Sequence, residues 1–347
     1  MLAAVAVLAA AGIWLFRGQP APPAAPAQAI PSPVSVPTST VQLEPHVHGS
    51  LTTWNVPGPF VGLRSVAAAP DGRVWVTEQD GAQVDVLDGD TMTRYEISKR
   101  FNEAGAFAFG RGPDDALWFT GYPAGTLGRV LPDGRVNLFA PRGDGATTLA
   151  IAEGPGGEMW TTDPNLGAVV RIGSDGTVTP VLVSADGGQT QRPGFITQGT
   201  DGAMWFTIPD TSQVARLQPT GDPKITRYTV PGHVTPRNIV VGEDGDLWVS
   251  LEDRAALARV DEATGNVSIV VLRGGVPTRG LNDLAVAPDD TLWITTPSSA
   301  VLHVAPSGRV ISRTDIPGTH YADGISVAPD GSVWVAARDD IIANIQP

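Results

Sequence analysis

The sequence predicts an all-β fold, a seven-bladed β-propeller of four-stranded blades whose last blade is closed by an N-terminal strand. Seven tryptophans, Trp75, Trp118, Trp160, Trp205, Trp248, Trp293 and Trp334, recur 41 to 45 residues apart, the length of a propeller blade. Most close a similar phrase, as in Pro70-Asp71-Gly72-Arg73-Val74-Trp75 and Pro329-Asp330-Gly331-Ser332-Val333-Trp334. The 40 glycines and 31 prolines among the 347 residues mark frequent turns, and the Val, Thr, Ile and Trp between them favour short strands.

Residues 192–230 serve as the type unit. Gly194 to Gln198 reads as a first strand, Thr200-Asp201-Gly202 as a tight turn and Ala203 to Thr207 as a second strand. Val214 to Gln218 and Ile225 to Val230 follow as the third and fourth. The first turn recurs as Asp71-Gly72, Asp114-Asp115, Gly156-Gly157, Asp244-Gly245, Asp289-Asp290 and Asp330-Gly331. A two-residue hairpin with a left-handed backbone suits these residues. An indole at one position of every second strand fills the wedge between neighbouring blades.

The last unit stops after its third strand, Ile341 to Ile345. Thr52-Thr53-Trp54-Asn55-Val56-Pro57-Gly58 resembles the fourth-strand phrase Thr226-Arg227-Tyr228-Thr229-Val230-Pro231-Gly232, so the N-terminal segment is expected to complete the C-terminal blade and leave no open edge. Domain limits follow: 1–17 a signal peptide or membrane anchor, 18–45 a Pro/Ala-rich linker and 46–347 the propeller. Residues 1–16 are uninterrupted and apolar, which points to an extracytoplasmic protein, secreted or membrane-anchored. The linker, with eight prolines, is expected to pack against nothing.

A net charge of −13 without a Lys/Arg cluster argues against nucleic acid as a partner. The absence of cysteine removes disulfides, thiolate metal sites and thiol nucleophiles. A monomer is expected, touching a membrane only through residues 1–17.

Function is sought where the copies differ. The tight turns share one face; the opposite face carries the longer, variable loops, Ser98 to Ala106, Pro141 to Thr148, Ser184 to Pro193, Pro231 to Pro236, Arg273 to Leu281 and Pro317 to Ala322. Two positions per blade are expected to look into the mouth of the central channel there. One lies eleven residues before the tryptophan and includes Arg64, Arg237, Asn282 and Asp323; the other lies three after it and includes Glu78 and Asp163. These six are the candidate ligand-binding residues, fit for a polar or anionic small molecule, peptide or protein, with Arg192 or Tyr321 assisting. They suit equally a solvated channel whose charges pair with one another.

At Phe195-Ile196-Thr197-Gln198-Gly199-Thr200-Asp201-Gly202-Ala203-Met204-Trp205-Phe206-Thr207, and at Ala116-Leu117-Trp118-Phe119-Thr120 with Leu127-Gly128-Arg129-Val130, the chain resembles the virginiamycin B (streptogramin B) lyase family, and NHL-type propellers more distantly. The resemblance spans residues 59–347. It implies a seven-bladed propeller and, for true lyases, magnesium-assisted elimination in which a histidine removes a proton beside the ester carbonyl and acidic residues hold the metal. The family's histidine positions fall on Asn282 and Arg237 and its strand-two glutamate on Thr296, so the catalytic set is not matched. Three readings follow: a ligand- or partner-binding propeller; a lyase opening a cyclic depsipeptide or lactone with magnesium, using His233 or His320 as base beside Glu78 or Asp323; and a lactonase whose metal is held by Glu78, Asn282 and Asp323.

Overall fold

The computed structural model describes residues 38–347 apart from 59–61, 81–82, 97–104, 113–115, 123–124, 132–135, 140–146, 174–176, 184–190, 220, 222 and 276–279. The signal or anchor, most of the linker and large parts of four expected mouth loops lie outside the described residues. Among the described residues no helix is long and apolar enough to cross a membrane.

Seven antiparallel blades of four strands make up the molecule. Blade 1 comprises β4 (Leu63–Ala68), β5 (Val74–Glu78), β6 (Gln83–Asp88) and β7 (Thr91–Glu96). Blade 2 comprises β8 (Gly105–Arg111) to β11 (Val136–Phe139), blade 3 β12 (Ile151–Glu153) to β15 (Val178–Leu182) and blade 4 β16 (Ile196–Gln198) to β19 (Lys224–Thr229). Blade 5 runs from β20 (Pro236–Val241) to β23 (Val267–Val271) and blade 6 from β24 (Leu284–Val286) to β27 (Val310–Asp315). Blade 7 combines β28 (Ala322–Val327), β29 (Val333–Ala337) and β30 (Ile341–Ile345) with β3 (Leu51–Asn55). First strands contact one another around the ring and so line the channel.

The closure follows the expected register. Strand β3 pairs antiparallel with β30 from Leu51 opposite Ile345 to Asn55 opposite Ile341. The linker expectation is corrected at its C-terminal end, because β1 (Thr38–Gln42) pairs with β7 on the outer edge of blade 1 and β2 (Pro45–His48) pairs with β3 on the outer edge of blade 7. The physical reason is edge capping: Ser39, Thr40 and Val41 are strand-compatible, and β7 and β3 would otherwise expose unpaired backbone groups. Leu43 N–H donates to the Asp90 carbonyl and the Trp54 indole N–H to the Asp90 carboxylate at 2.8 Å, tying the segment across the junction of blades 7 and 1.

The tryptophans occupy inter-blade wedges. Trp75, Trp160, Trp205, Trp248 and Trp293 are each buried among apolar side chains of the following blade, as Trp205 is with Ile239, Leu247 and Val249. The first turns differ from expectation in one respect. Ala69 N–H bonds Arg73 and Gly72 N–H bonds back to Ala69, so three residues, not two, form the loop. The third loop residue adopts the left-handed conformation (Gly72 φ 87°, Gly331 φ 86°, and Asp290 φ 65° in blade 6), while the aspartate before it accepts the N–H two residues on.

A ring of hydroxyls two residues after the tryptophans locks the blades together. Thr77, Thr120, Thr162, Thr207, Ser250 and Thr295 each accept from an N–H of their own first strand and donate to the carbonyl at the start of the next blade's first strand, Thr207 to Arg237 at 2.8 Å. The seventh position is Ala336. There Gly324 comes close to blade 1, where a Cβ on it would lie 2.6 Å from the Arg64 carbonyl oxygen. Replacing Thr207 by the isosteric valine strands two buried backbone groups, and chemical denaturation is expected to show a loss of about 1–3 kcal/mol. A change below about 0.5 kcal/mol would refute the bridging role.

Candidate functional site: the channel mouth

A β-bulge shapes the mouth. In blades 1, 2, 5 and 7 the first strand carries one extra residue near its start, as between Leu63 (opposite Glu78) and Val66 (opposite Val76). The bulged residues begin with Arg64, Phe107, Arg237 and Asp323. Each meets the residue fifteen positions later, at the end of the second strand or just past it. Arg64 Nε donates to Gln79 Oε1 at 2.5 Å, Phe107 packs on Tyr122 with ring centroids 5.4 Å apart, Arg237 reaches Glu252 at 3.4 Å and Arg338 Nε donates to Asp323 at 2.8 Å.

The mouth-facing position of the second strand is therefore four after the tryptophan, not three. Residues three after it, Glu78, Ile208, Leu251, Thr296 and Ala337 among them, are buried in the blades. Glu78 is corrected accordingly: it lies fully buried between blades 7 and 1, where Arg94 Nη2 contacts it at 3.4 Å while Arg94 Nε contacts the buried Asp85 carboxylate at 3.2 Å. Asp163 is corrected likewise; it is buried and accepts the Leu166 N–H at 2.9 Å, closing the turn after its strand. Strand alternation decides both, since a one-residue change of phase turns a side chain from channel to blade interior.

The first-strand candidates converge. Asp323 is a hub for three guanidiniums: Arg64 at 2.6 Å, Arg338 at 2.8 Å and Arg237 at 3.5 Å. Arg237 belongs to blade 5 and reaches past blade 6 to do so. Asn282, wholly buried, donates to the Ala322 carbonyl at 2.7 Å and accepts the Tyr321 hydroxyl at 3.0 Å, so it braces the wall. Beneath it Asp283 accepts from the Asn238 amide, Leu284 N–H and Ile325 N–H. Burial pushes its carboxyl up to about 7 despite these bonds, with Asp323 adding to the rise.

Aromatic rings back the arginines: Arg64 lies 4.9 Å over Phe107, Arg237 5.8 Å over Phe195 and Arg338 4.0 Å over Tyr321. Sequence reasoning missed Arg338, Gln79 and Glu252, which the same tryptophan ruler would have found one residue further on. The expected assisting role of Tyr321 thus falls on the wall, whereas Arg192 is exposed and makes no contact with the cluster.

The catalytic alternatives are not assembled. His320 has a side chain 93% exposed and its N–H on Asp339, and His233 is exposed in a turn with φ 51°. Glu78, Asn282 and Asp323 are each engaged with separate partners instead of converging on a common point. The mouth's donor set does not fit a magnesium ion: Asp323 is enclosed by three cations that would repel it, and no group of three or more His, Cys, Asp or Glu side chains that could hold an ion occurs among the described residues.

The fold and mouth define a seven-bladed β-propeller with its variable residues gathered at one end of the channel. The chain belongs to the virginiamycin B lyase family, whose sequence profile matches residues 49–345. Similar solved structures are virginiamycin B lyase from Staphylococcus aureus (22% identity, 86% of this chain and 99% of that one, TM-score 0.77) and a streptogramin B lyase (23%, 85% and 97%, TM-score 0.77). A catalytically inactive form of the Staphylococcus aureus enzyme with quinupristin is similar too (23%, 86% and 99%, TM-score 0.76). More distant neighbours include the extracellular domain of a hybrid two component system from B. thetaiotaomicron (12%, 88% and 40%, TM-score 0.66). No curated protein matches the chain in sequence.

Proposed function

We propose that this chain is an exported, ligand-binding member of the virginiamycin B lyase family that takes a small molecule, peptide or protein segment at its channel mouth and does not open the streptogramin ring. The observation that carries the reading is the arginine cluster on Asp323, occupying the place where elimination needs a neutral base and a metal-binding carboxylate set. Arg237 and Asn282 stand at the family's histidine positions and Thr296 at its glutamate position. An arginine stays protonated at any working pH and cannot take a proton from substrate. Export is supported by the apolar residues 1–16 and by extracellular domains among the propeller neighbours.

The test is incubation of the full chain with a type B streptogramin, with and without magnesium, followed by chromatography and mass. The ring is expected to remain closed in both. A linear product of unchanged mass would establish elimination and overturn the proposal, and one heavier by a water would establish hydrolysis and do the same.

A further inference from the structure

Resting on the binding reading above, we infer that the mouth selects a monoanion whose carboxylate lies beside a flat aromatic ring. Three arginines, Arg64, Arg237 and Arg338, face two carboxylates, Asp323 and the rim residue Glu252, which leaves one net positive charge in a protein of net charge −13. One carboxylate of the ligand balances that excess; a dianion would overshoot it. Asp283 lies below and accepts three hydrogen bonds; it faces Arg237 only through space, and burial favours its neutral form, so it takes little from the excess.

Donor bookkeeping points the same way. Each guanidinium carries five N–H donors. Arg64 uses one on Gln79 and one on Asp323, Arg237 reaches Glu252 and Asp323 through long contacts of 3.4 and 3.5 Å, and Arg338 gives its Nε–H to Asp323. Side-chain exposures of 17%, 19% and 35% for Arg64, Arg237 and Arg338 keep their remaining edges within reach of the channel. The planar fork of arginine matches a carboxylate with two parallel bonds, and Asp323, 7% exposed, already holds the three forks so that little side-chain entropy is lost on binding.

The rings supply the second half of the specificity. Phe107 and Tyr122 form one tilted pair beside Arg64, and Phe195 lies beneath Arg237. A guanidinium stacked on a ring presents its edge to the anion, and the partly exposed rings of Phe107 and Tyr122 offer an apolar surface beside it.

Titration calorimetry with N-acetylphenylalanine, its uncharged amide and inorganic phosphate tests this on the full chain. The acid is expected to bind at least about tenfold more tightly than the amide, the difference a charge-assisted pair makes. Arg64→Gln and Arg237→Gln are each expected to weaken the acid about tenfold while leaving the amide unchanged, with unaltered melting curves as the control for folding. Equal binding of acid and amide would overturn the anion inference and leave the binding reading standing. Phosphate binding as tightly as the acid would overturn the aromatic half. Binding of neither organic probe would overturn the inference for this ligand class, and failure of the unfractionated peptide and small-acid pools to bind as well would remove the binding reading itself.

Discussion

Deleting residues 50–58 is expected to abolish cooperative folding of the propeller. The segment contributes β3 and the residue after it, which supply Leu51, Trp54 and Val56 to the buried interior, each about 1.5–3 kcal/mol of burial. Together they amount to about 4.5–9 kcal/mol, comparable to the whole stability of a typical domain. Further losses follow from the ladder to β30, the stacking of Trp54 on Trp334 at 5.5 Å and the bonds from Val56 N–H to Asp340 and from Gln346 N–H to Ser50. The effect is concentrated at the one junction where Ala336 replaces a bridging hydroxyl. Differential scanning calorimetry reads the outcome, and a melting temperature within about 5 °C of the full chain would refute the closure. Removing only 38–42 strips an edge strand with one partly buried apolar side chain and is expected to cost far less.

A second large effect is expected from Glu78→Gln as a function of pH. Burial, a hydrogen bond to Asp85 and the Asp85 charge push the Glu78 carboxyl up to about 9, while Arg94 works against the shift and Asp340, in the β29–β30 turn, adds to it. Among the described residues, Glu78 Oε2 and Asp85 Oδ1 are buried with no N–H donor aimed at them, so one guanidinium serves two carboxyl groups and a proton between them supplies the missing donor. The folded protein therefore keeps a proton that the unfolded chain releases near pH 4.5. Between those two values the unfolded state binds fewer protons, so stability falls as pH rises from about 4.5 towards 9. By linkage this single group withdraws up to about 5 kcal/mol between pH 5 and 9. Glutamine can still donate to Asp85 and accept from Arg94, so Glu78→Gln is expected to flatten that decline and to exceed the parent in stability at pH 9. Parallel stability curves for the two proteins would exclude the buried proton.

Most of the fold was legible because the repeat reports it seven times over. The fourth-strand phrase before the first unit and the missing fourth strand in the last told the closure outright, since both are local patterns. The site was legible by half. Arg64, Arg237 and Asp323 were found from their place eleven residues before the tryptophan, and Asn282 with them, but Glu78 and Asp163 were set one residue out of phase. For Glu78 the reason is the bulge in β4, a register event between two strands that leaves no mark in either strand's own alternation; for Asp163, whose blade pairs without such a shift, it is the phase of the strand in the closed ring, which the alternation alone does not show. Strand β1 escaped for a related reason: an edge strand needs only compatible residues and an open neighbour, and composition shows the first without the second.

By itself the sequence determined the number of blades, their order, the tight-turn face and the absence of the family's histidine and glutamate set, because each depends on residues adjacent in the chain or repeated at one spacing. Only the tertiary structure decided which charges meet. Blade 5, blade 7 and blade 1 bring Arg237, Arg338, Asp323 and Arg64 together across a channel that no local pattern describes, while the same ring closure turns Glu78 inward against Asp85. Coulombic partnership over distances of about 3 Å depends on strand phase and ring curvature, which are properties of the closed assembly.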